Sequence, residues 1–399
     1  MKLKTKQNHL FSLSLISIAM LTSPIVSAES SSHENGITKA LQDTKAAVMF
    51  RARYEGVDQS GIDEDASALT LKSRITVDTG SYQNFTLGLE VDNVSALVDD
   101  YNSTTNGNTQ YPVVADPTGT DVNQAYIKYG LKDFSATVGR QRILHNNQRF
   151  VGGVAWRQNE QTYDGARAQY RMGAFNFDYS YIHNVNGITD GNDSGDFHLF
   201  NASYKLSKSH NFAGFAYALD YDALNKAKDS SNTIGGLYNG KFGPVFVNAS
   251  VASQSDAGDN TASYTAIYIN AEVGSKFGPV TVLGGYELLG SDNGVGFSTP
   301  LATKHKFQGW ADKFLGTPAD GVSDIYVTVK GKVAKVNLAA TMHSLTSDVN
   351  NIDYGTELNF SAAYSFNKNY NVLLKYANYS ADDYASDTDK LWLQAVAKF

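Results

Sequence analysis

Along most of this chain apolar and polar residues alternate one for one. In "FTLGLEVD" (Phe85–Asp92), Phe85, Leu87, Leu89 and Val91 fall on one side, and Thr86, Gly88, Glu90 and Asp92 on the other. "LTLKSRITV" (Leu69–Val77) sets Leu69, Leu71, Ile75 and Val77 opposite Thr70, Lys72, Arg74 and Thr76. "FNFDYSY" (Phe175–Tyr181) repeats the pattern with aromatic rings, and Ala334–Met342 and Leu358–Phe366 follow it too. A period of two with one apolar face is the signature of a strand. By itself it also fits a soluble β-sandwich.

The connections discriminate between the two. The pattern predicts eighteen strands, from one near 47–57 to one at 389–399, and every second connection is short. The tight ones fall around 79–82, 130–133, 171–174, 207–210, 241–244, 276–279, 331–334 and 366–370. Those between them are mostly longer, above all 96–121 and 290–321. "KFGPV" occurs at two tight connections, Lys241–Val245 and Lys276–Val280, as if one hairpin unit recurred. One rim of turns and one of loops, with both termini on the turn rim, is the asymmetry of a bacterial outer-membrane barrel. Most segments are long enough for a tilted strand of roughly 9–11 residues to cross the hydrocarbon core, and closure removes the sheet edges that lipid does not tolerate. The expected fold is all-β: a transmembrane antiparallel up-and-down β-barrel of 16–18 strands, 18 favoured, with short periplasmic turns and long extracellular loops.

The first residues supply the address. Lys2, Lys4 and Lys6 precede the apolar "LFSLSLISIAML", and small residues follow at Ser27 and Ala28. This pattern reads as a secretory signal peptide over 1–28, followed by a flexible stub at 29–45 and the barrel at 46–399. The expected location is the outer membrane, with its lipids as the barrel's surroundings. A formal net charge of −7 argues against nucleic acid as a partner. With no cysteine the chain has neither disulfides nor a thiolate site. The last residues, "LWLQAVAKF", place Leu391, Leu393, Ala395, Ala397 and Phe399 on one face. A closing strand with a terminal Phe resembles the assembly signal of outer-membrane proteins, which makes the assembly machinery an expected partner through Phe399. The 24 tyrosines, many near strand ends, suit an interfacial girdle; ordinary β-propensity explains them as well.

A barrel this wide encloses water, so the residues between the lipid-facing ones are the functional candidates. The first two strands contribute Arg51, Arg53, Glu55, Lys72 and Arg74, the third Glu90 and Asp92, and the sixth Arg167 and Arg171. A basic ladder in a pore lowers the barrier for anions, and arginine pairs carboxylates bidentately. The bland alternative is that these charges pair with one another in a generic pore. Arg140 and Arg142 break the parity. If Phe134, Ala136 and Val138 face lipid, both arginines would too, at a cost on the order of 2–4 kcal/mol each at the midplane. A bulge at Gly139 is expected to turn them inward, with the following segment folding partly into the lumen.

Catalytic constellations are sparse. His145, His183, His198 and His343 are scattered, and neither HExxH nor GxSxG occurs. A barrel-embedded hydrolase of lipase or protease type stays the alternative enzyme reading, and a non-selective general porin the alternative channel. Asp99, Asp100, Asp116 and Asp121 lack EF-hand spacing and read as solvated loop. No cofactor or metal is expected.

The stretch Phe297–Gly321, "FSTPLATKHKFQGWADKFLGTPADG", lacks the alternation and concentrates Lys304, His305, Lys306, Trp310 and Asp312. Together with "DDYNSTTNGNTQYPVVADPTGTDVNQAYIKY", "GRQRI" and "NQRFVG..AWRQNEQTYD" it resembles the alginate-export family of outer-membrane porins over most of the chain. The resemblance implies a single-chain barrel with an arginine- and lysine-lined lumen that passes an anionic polysaccharide. Carried over by position, it supports Arg51, Arg53, Arg74, Arg140, Arg142 and Arg167 as pathway residues and the 297–321 loop as a gate. Lys304, His305 and Lys306 then read as charges drawing anions to the mouth, and Trp310 as the loop's anchor. The expected function is a passive channel for small solutes that favours anions or acidic oligo- and polysaccharides such as alginate.

Overall fold

The computed structural model describes residues 32–189 and 191–399; the expected signal peptide, 1–28, lies outside them. Helix α1 (Ser32–Gln42) precedes the first strand. The segment expected as a flexible stub is therefore helical over that range. Ala40 of the helix is buried, and its carbonyl accepts from Gly80 N at 3.0 Å, which docks α1 on the turn after the second strand.

The wall begins with β1 (Lys45–Gln59), β2 (Ala66–Asp78), β3 (Phe85–Asp100), β4 (Gly119–Gly130) and β5 (Phe134–Gln141). It continues with β6 (Thr162–Met172), β7 (Phe175–Asn186), β8 (Asn192–Lys205), β9 (His210–Tyr221) and β10 (Ser231–Phe242). β11 (Val245–Asp256), β12 (Thr265–Phe277) and β13 (Val280–Leu289) follow, and a two-residue hairpin, β14 (Ser291–Asp292) and β15 (Val295–Gly296), sits in the next loop. The last wall strands are β16 (Val322–Val333), β17 (Val336–Thr346), β18 (Asp353–Ser365), β19 (Tyr370–Ala381) and β20 (Thr388–Lys398). Apart from the small hairpin they form one 18-stranded sheet in which β1 pairs both β2 and β20. The seam is tight: Val48 N donates to Phe399 O at 3.0 Å and Phe399 N to Val48 O at 2.8 Å. All neighbours are antiparallel and sequential, as expected of an up-and-down barrel.

Alternation explains the two faces. Leu87, Leu89, Ile127, Val138, Ile267, Ile325, Val327 and Leu393 are all exposed on the outside, where lipid takes the place of a core. On the inside Arg53, Glu55, Lys72, Glu90 and Asp92 are almost fully buried. Charges buried to this degree in a barrel mean that its lumen is filled in part.

Candidate functional site: a constriction built by inserted loops

The filling comes from three loops of the outer rim: 101–118, 142–161 and 290–321. Their apolar residues supply the anchorage. Ile143, Val151, Phe297 and Leu301 are buried against inward-facing Phe197, Phe215, Tyr217 and Tyr268 of the wall. Phe150 packs between Phe215 and Tyr268, with centroids 4.8 and 5.0 Å away.

The 142–161 loop enters because β5 stops early. Gly139 has φ +117°, and a Cβ there would meet Ala125 O at 2.3 Å, so the backbone bends where only glycine fits. β5 pairs β4 from Ala125 to Gly130 and no further, and the chain turns inward after Gln141. Arg142 follows it and pairs with Glu90 and Glu160. Arg140 does not. It stays in the wall, where Nε donates to Asp164 Oδ1 of β6 at 2.8 Å and Nη1 to Val122 O of β4 at 3.0 Å. Arg140 thus spans the break that β5 leaves. Arg142 makes the expected inward turn where the chain leaves the wall, and Arg140, while paired with Asp164, lines a cavity at the rim together with Asp92, Asn123 and Glu160.

Inside, the basic ladder is matched charge by charge. Lys72 lies 2.9 Å from Asp92, and Arg74 reaches Asp92 and Glu160 at 2.6 and 2.8 Å. Burial pushes the Glu160 carboxyl up, but Lys72, Arg74 and Arg142 outweigh it and hold it down at about 2. Arg167 Nε donates to Asp178 Oδ1 at 2.9 Å, whereas Arg171, at the periplasmic end of β6, meets Asn176. Arg51 serves the loop instead of the pore: it donates to Gln158 Oε1 at 2.8 Å and to the carbonyls of Ala155 and Arg157. Gln158 N donates in turn to Asp116 Oδ1 at 2.7 Å, and Asp116 is fully buried, not a solvated loop residue. Arg157 links Glu55 and Asp312, both at 2.9 Å.

The 297–321 stretch divides the lumen. Lys304, His305, Ala311, Asp312 and Lys313 line an outer cavity of about 440 Å³, while Lys306, Phe307, Gln308 and Trp310 line an inner one of about 680 Å³. The segment 304–312 is thus a septum with opposite faces on two chambers. Glu357 of β18 holds it: its Oε1 accepts from Ala311 N at 2.9 Å and also from Trp310 N. Glu287 of β13 holds the Gln308 end, with Arg149 donating to its Oε1 at 2.8 Å.

At the centre lies His305. Nδ1 donates to Asp312 Oδ1 at 2.6 Å, and Nε2 accepts from Lys375 Nζ at 2.6 Å, an arrangement only the neutral Nδ1–H tautomer satisfies. Lys375 Nζ in turn sits 4.1, 3.8 and 5.2 Å from the rings of Trp156, Trp310 and Trp392, all three tryptophans of the chain. Arg53 Cζ also lies over Trp156, 4.1 Å from the ring centroid. His305 is buried and uncharged, so it does not draw anions to the mouth, and Lys306 serves the inner chamber. Lys304 lines the outer one, beside the neutral His305. Parity reasoning found the ladder but missed Glu160, Trp156, Lys375, Glu287 and Glu357. The two strand carboxylates stand on inward-facing positions, and that signal could have found them.

Among the described residues no group of histidines and acids has the geometry of a metal site, and no helix is long and apolar enough to cross a membrane. No curated protein matches the chain in sequence. Solved barrels do match in fold. The outer-membrane protein OpdK of Pseudomonas aeruginosa, determined with vanillate, superposes with a TM-score of 0.72 at 12% identity, over 90% of this chain and 99% of that one. OccK3 (OpdO) of the same organism gives 0.69 at 14% identity, over 92% and 98%. OccAB1 of Acinetobacter baumannii gives 0.70 at 11%, over 90% and 97%. In sequence, residues 44–277 match the profile of the family described as alginate export. That match takes in more than half of the chain, and an 18-stranded barrel with turns on one rim and inserted loops at the other accords with it. The chain belongs to the alginate-export family, as a porin of the bacterial outer membrane.

Proposed function

We propose that this porin favours small anionic solutes, acidic saccharides among them, and that the septum 304–312 sets its selectivity. The observation that carries the reading is the charge of the outer cavity. Among the described residues Arg157, Lys304, Lys313 and Lys390 line it against a single carboxylate, Asp312, and neither Lys304 nor Lys313 takes part in an ion pair. Deeper in the barrel the ladder of Lys72, Arg74, Arg142 and Arg167 is neutralised by its own partners, so it hydrates the wall and adds little net field. Unpaired positive charge beside the septum lowers the barrier for anions, and the amphipathic cavity lining, with Tyr111 and Pro112, suits an organic anion better than a bare halide. The solute moves down its own gradient, and no chemical step is required.

Reversal potentials across a planar bilayer under a KCl gradient test this reading. Chloride is expected to be the more permeant ion, and the double variant Lys304→Gln/Lys313→Gln to bring the two permeabilities together. A wild-type pore that prefers potassium overturns it.

A further inference from the structure

The opposite mouth carries a charge pattern that the septum does not explain. The strands that run toward the periplasm end in cations: Lys128 on β4, Arg171 on β6, Lys205 on β8, Lys241 on β10, Lys276 on β12 and Lys330 on β16. All six are exposed, and among the described residues none of them has an ion pair. Registry places them on the inner face. Lys205 pairs with Asn211, and Lys241 lies two residues beyond Asn239, and both asparagines line the inner chamber. Lys276 and Lys330 both pair with Thr281, one from each side, and Lys330 itself lines the chamber. Lys128 and Arg167 flank Thr137 in the same way, and Arg171 shares Arg167's face by strand parity. Lys398 on β20 carries the series toward the seam, whereas β2 ends in Asp78 and β18 in Ser365.

We infer that the periplasmic mouth holds a binding ring for multivalent anions. The reading rests on the barrel being an open channel. Cations on every second strand stand roughly 10 Å apart around the rim, twice the strand spacing. A monovalent ion feels one of them, but a chain of carboxylates or a cluster of phosphates spans several at once, and linked contacts multiply. Lipid headgroups do not fit the site, because its side chains point away from the lipid face. The far rim has the opposite sign, with exposed Asp63, Glu64 and Asp65 in the first outer loop and Asp382, Asp383 and Asp387 in the last. A polyanion is therefore held from one side only.

Blockade of single channels by decaglutamate tests the ring. The chain contains no cysteine, so Leu224→Cys, at an outer-loop position 83% exposed, reports the orientation of each inserted pore through an impermeant maleimide. Decaglutamate is expected to block from the turn side at a concentration at least about tenfold lower than from the loop side. The variant Lys205→Gln/Lys241→Gln/Lys276→Gln should lose that advantage. Lys132→Gln/Lys208→Gln/Lys368→Gln, which removes as many charges from the turns of the same rim, should keep it within about twofold. Equal block from both sides, wild-type sensitivity in the first triple variant, or equal loss in the second overturns the ring. The KCl reversal potential is read on the same channels. A potassium-selective pore with one-sided block removes the anion preference of the septum and leaves the ring, and a chloride-selective pore with symmetric block does the reverse.

Discussion

His305 lies flat on Trp156, with ring centroids 4.8 Å apart and planes 5° from parallel. The stack ties the septum to the inserted 142–161 loop, because the two rings belong to segments that meet nowhere in sequence. Burial, with Lys375 and Arg157 nearby, depresses the imidazole to about 3 against the pull of Asp312. His305 therefore stays neutral over the range in which an ordinary histidine titrates.

Removing the partner ring should loosen this junction. Trp156→Ala deletes the surface on which His305, Arg53 and Lys375 rest, a loss of about 1–3 kcal/mol from stacking and cation–π contacts together. The strand pairing of the wall is untouched, so the heat-modifiability of the barrel on gels should change little. Single-channel conductance should rise, by about twofold or more if the 304–312 segment is the resistance that the two chambers imply. Unchanged conductance in a folded variant would show that current bypasses the septum.

The selectivity of the outer cavity should depend on pH through Lys313. Burial, reinforced by Lys390, lowers its ammonium to about 8 despite the carboxylates nearby, and Lys304 is pushed down in the same direction by burial. A lowered lysine is charged below its folded value and neutral above it. Raising the pH from 7 to 9 therefore removes positive charge from the cavity, and the chloride-to-potassium permeability ratio should fall across that interval. Lys313→Met should start from a lower ratio and show a smaller step. His305 and Asp312 contribute none of it, since Asp312, in spite of its burial, is held well below the carboxylate range by His305 and Lys390.

Gly139 is a point where side-chain bulk should undo the architecture. A Cβ at φ +117° would sit 2.3 Å from Ala125 O and 3.0 Å from Tyr126 Cα, and both are backbone atoms of β4 that cannot swing aside. Gly139→Ala should cost about 1–3 kcal/mol in backbone strain alone and misdirect Arg142 away from Glu90 and Glu160. A lower unfolding temperature on heated gels, with reduced yield of assembled barrel, is the expected result, and Ala136→Gly is the control for substitution in the same strand.

The wall was legible in the sequence because its information is local. The period of two, the tight turns and the inward parity of Arg53, Glu55, Lys72 and Glu90 are read within a few residues, and the observed 18-stranded sheet follows them. The segments that enter the lumen were expected, but the contacts they make there were not legible, because those span the chain: Arg51 reaches Gln158 across 107 positions, and Arg149 reaches Glu287 across 138. The 297–321 stretch announced itself by losing the alternation, but nothing in its residues told that His305 would be buried or that Lys304 and Lys306 would face different chambers. Arg140 shows the same limit. Parity marked it as an anomaly, and only the early end of β5 explains where it goes.

Glu357 offers the most direct handle on the septum, since it holds backbone and not side chains. Its Oε1 accepts from the N–H groups of Trp310 and Ala311, and Gly309, at φ +84°, lets the chain pass so close that a Cβ there would meet Glu357 Oε2 at 2.2 Å. A carboxylate holds such a pair of donors more strongly than a neutral amide oxygen does. Glu357→Gln keeps the shape and one acceptor but weakens the hold by about 1–2 kcal/mol, and Glu357→Ala leaves both donors unmatched at about 1–3 kcal/mol each. A septum held this way should open in proportion. Brief excursions to a higher conductance level are expected to be rare in the wild type, more frequent in Glu357→Gln and most frequent in Glu357→Ala, with similar unfolding temperatures for all three barrels. If Glu357→Ala conducts as quietly as the wild type, the 304–312 segment is fixed by its side chains alone, and the carboxylate is only a buried acceptor.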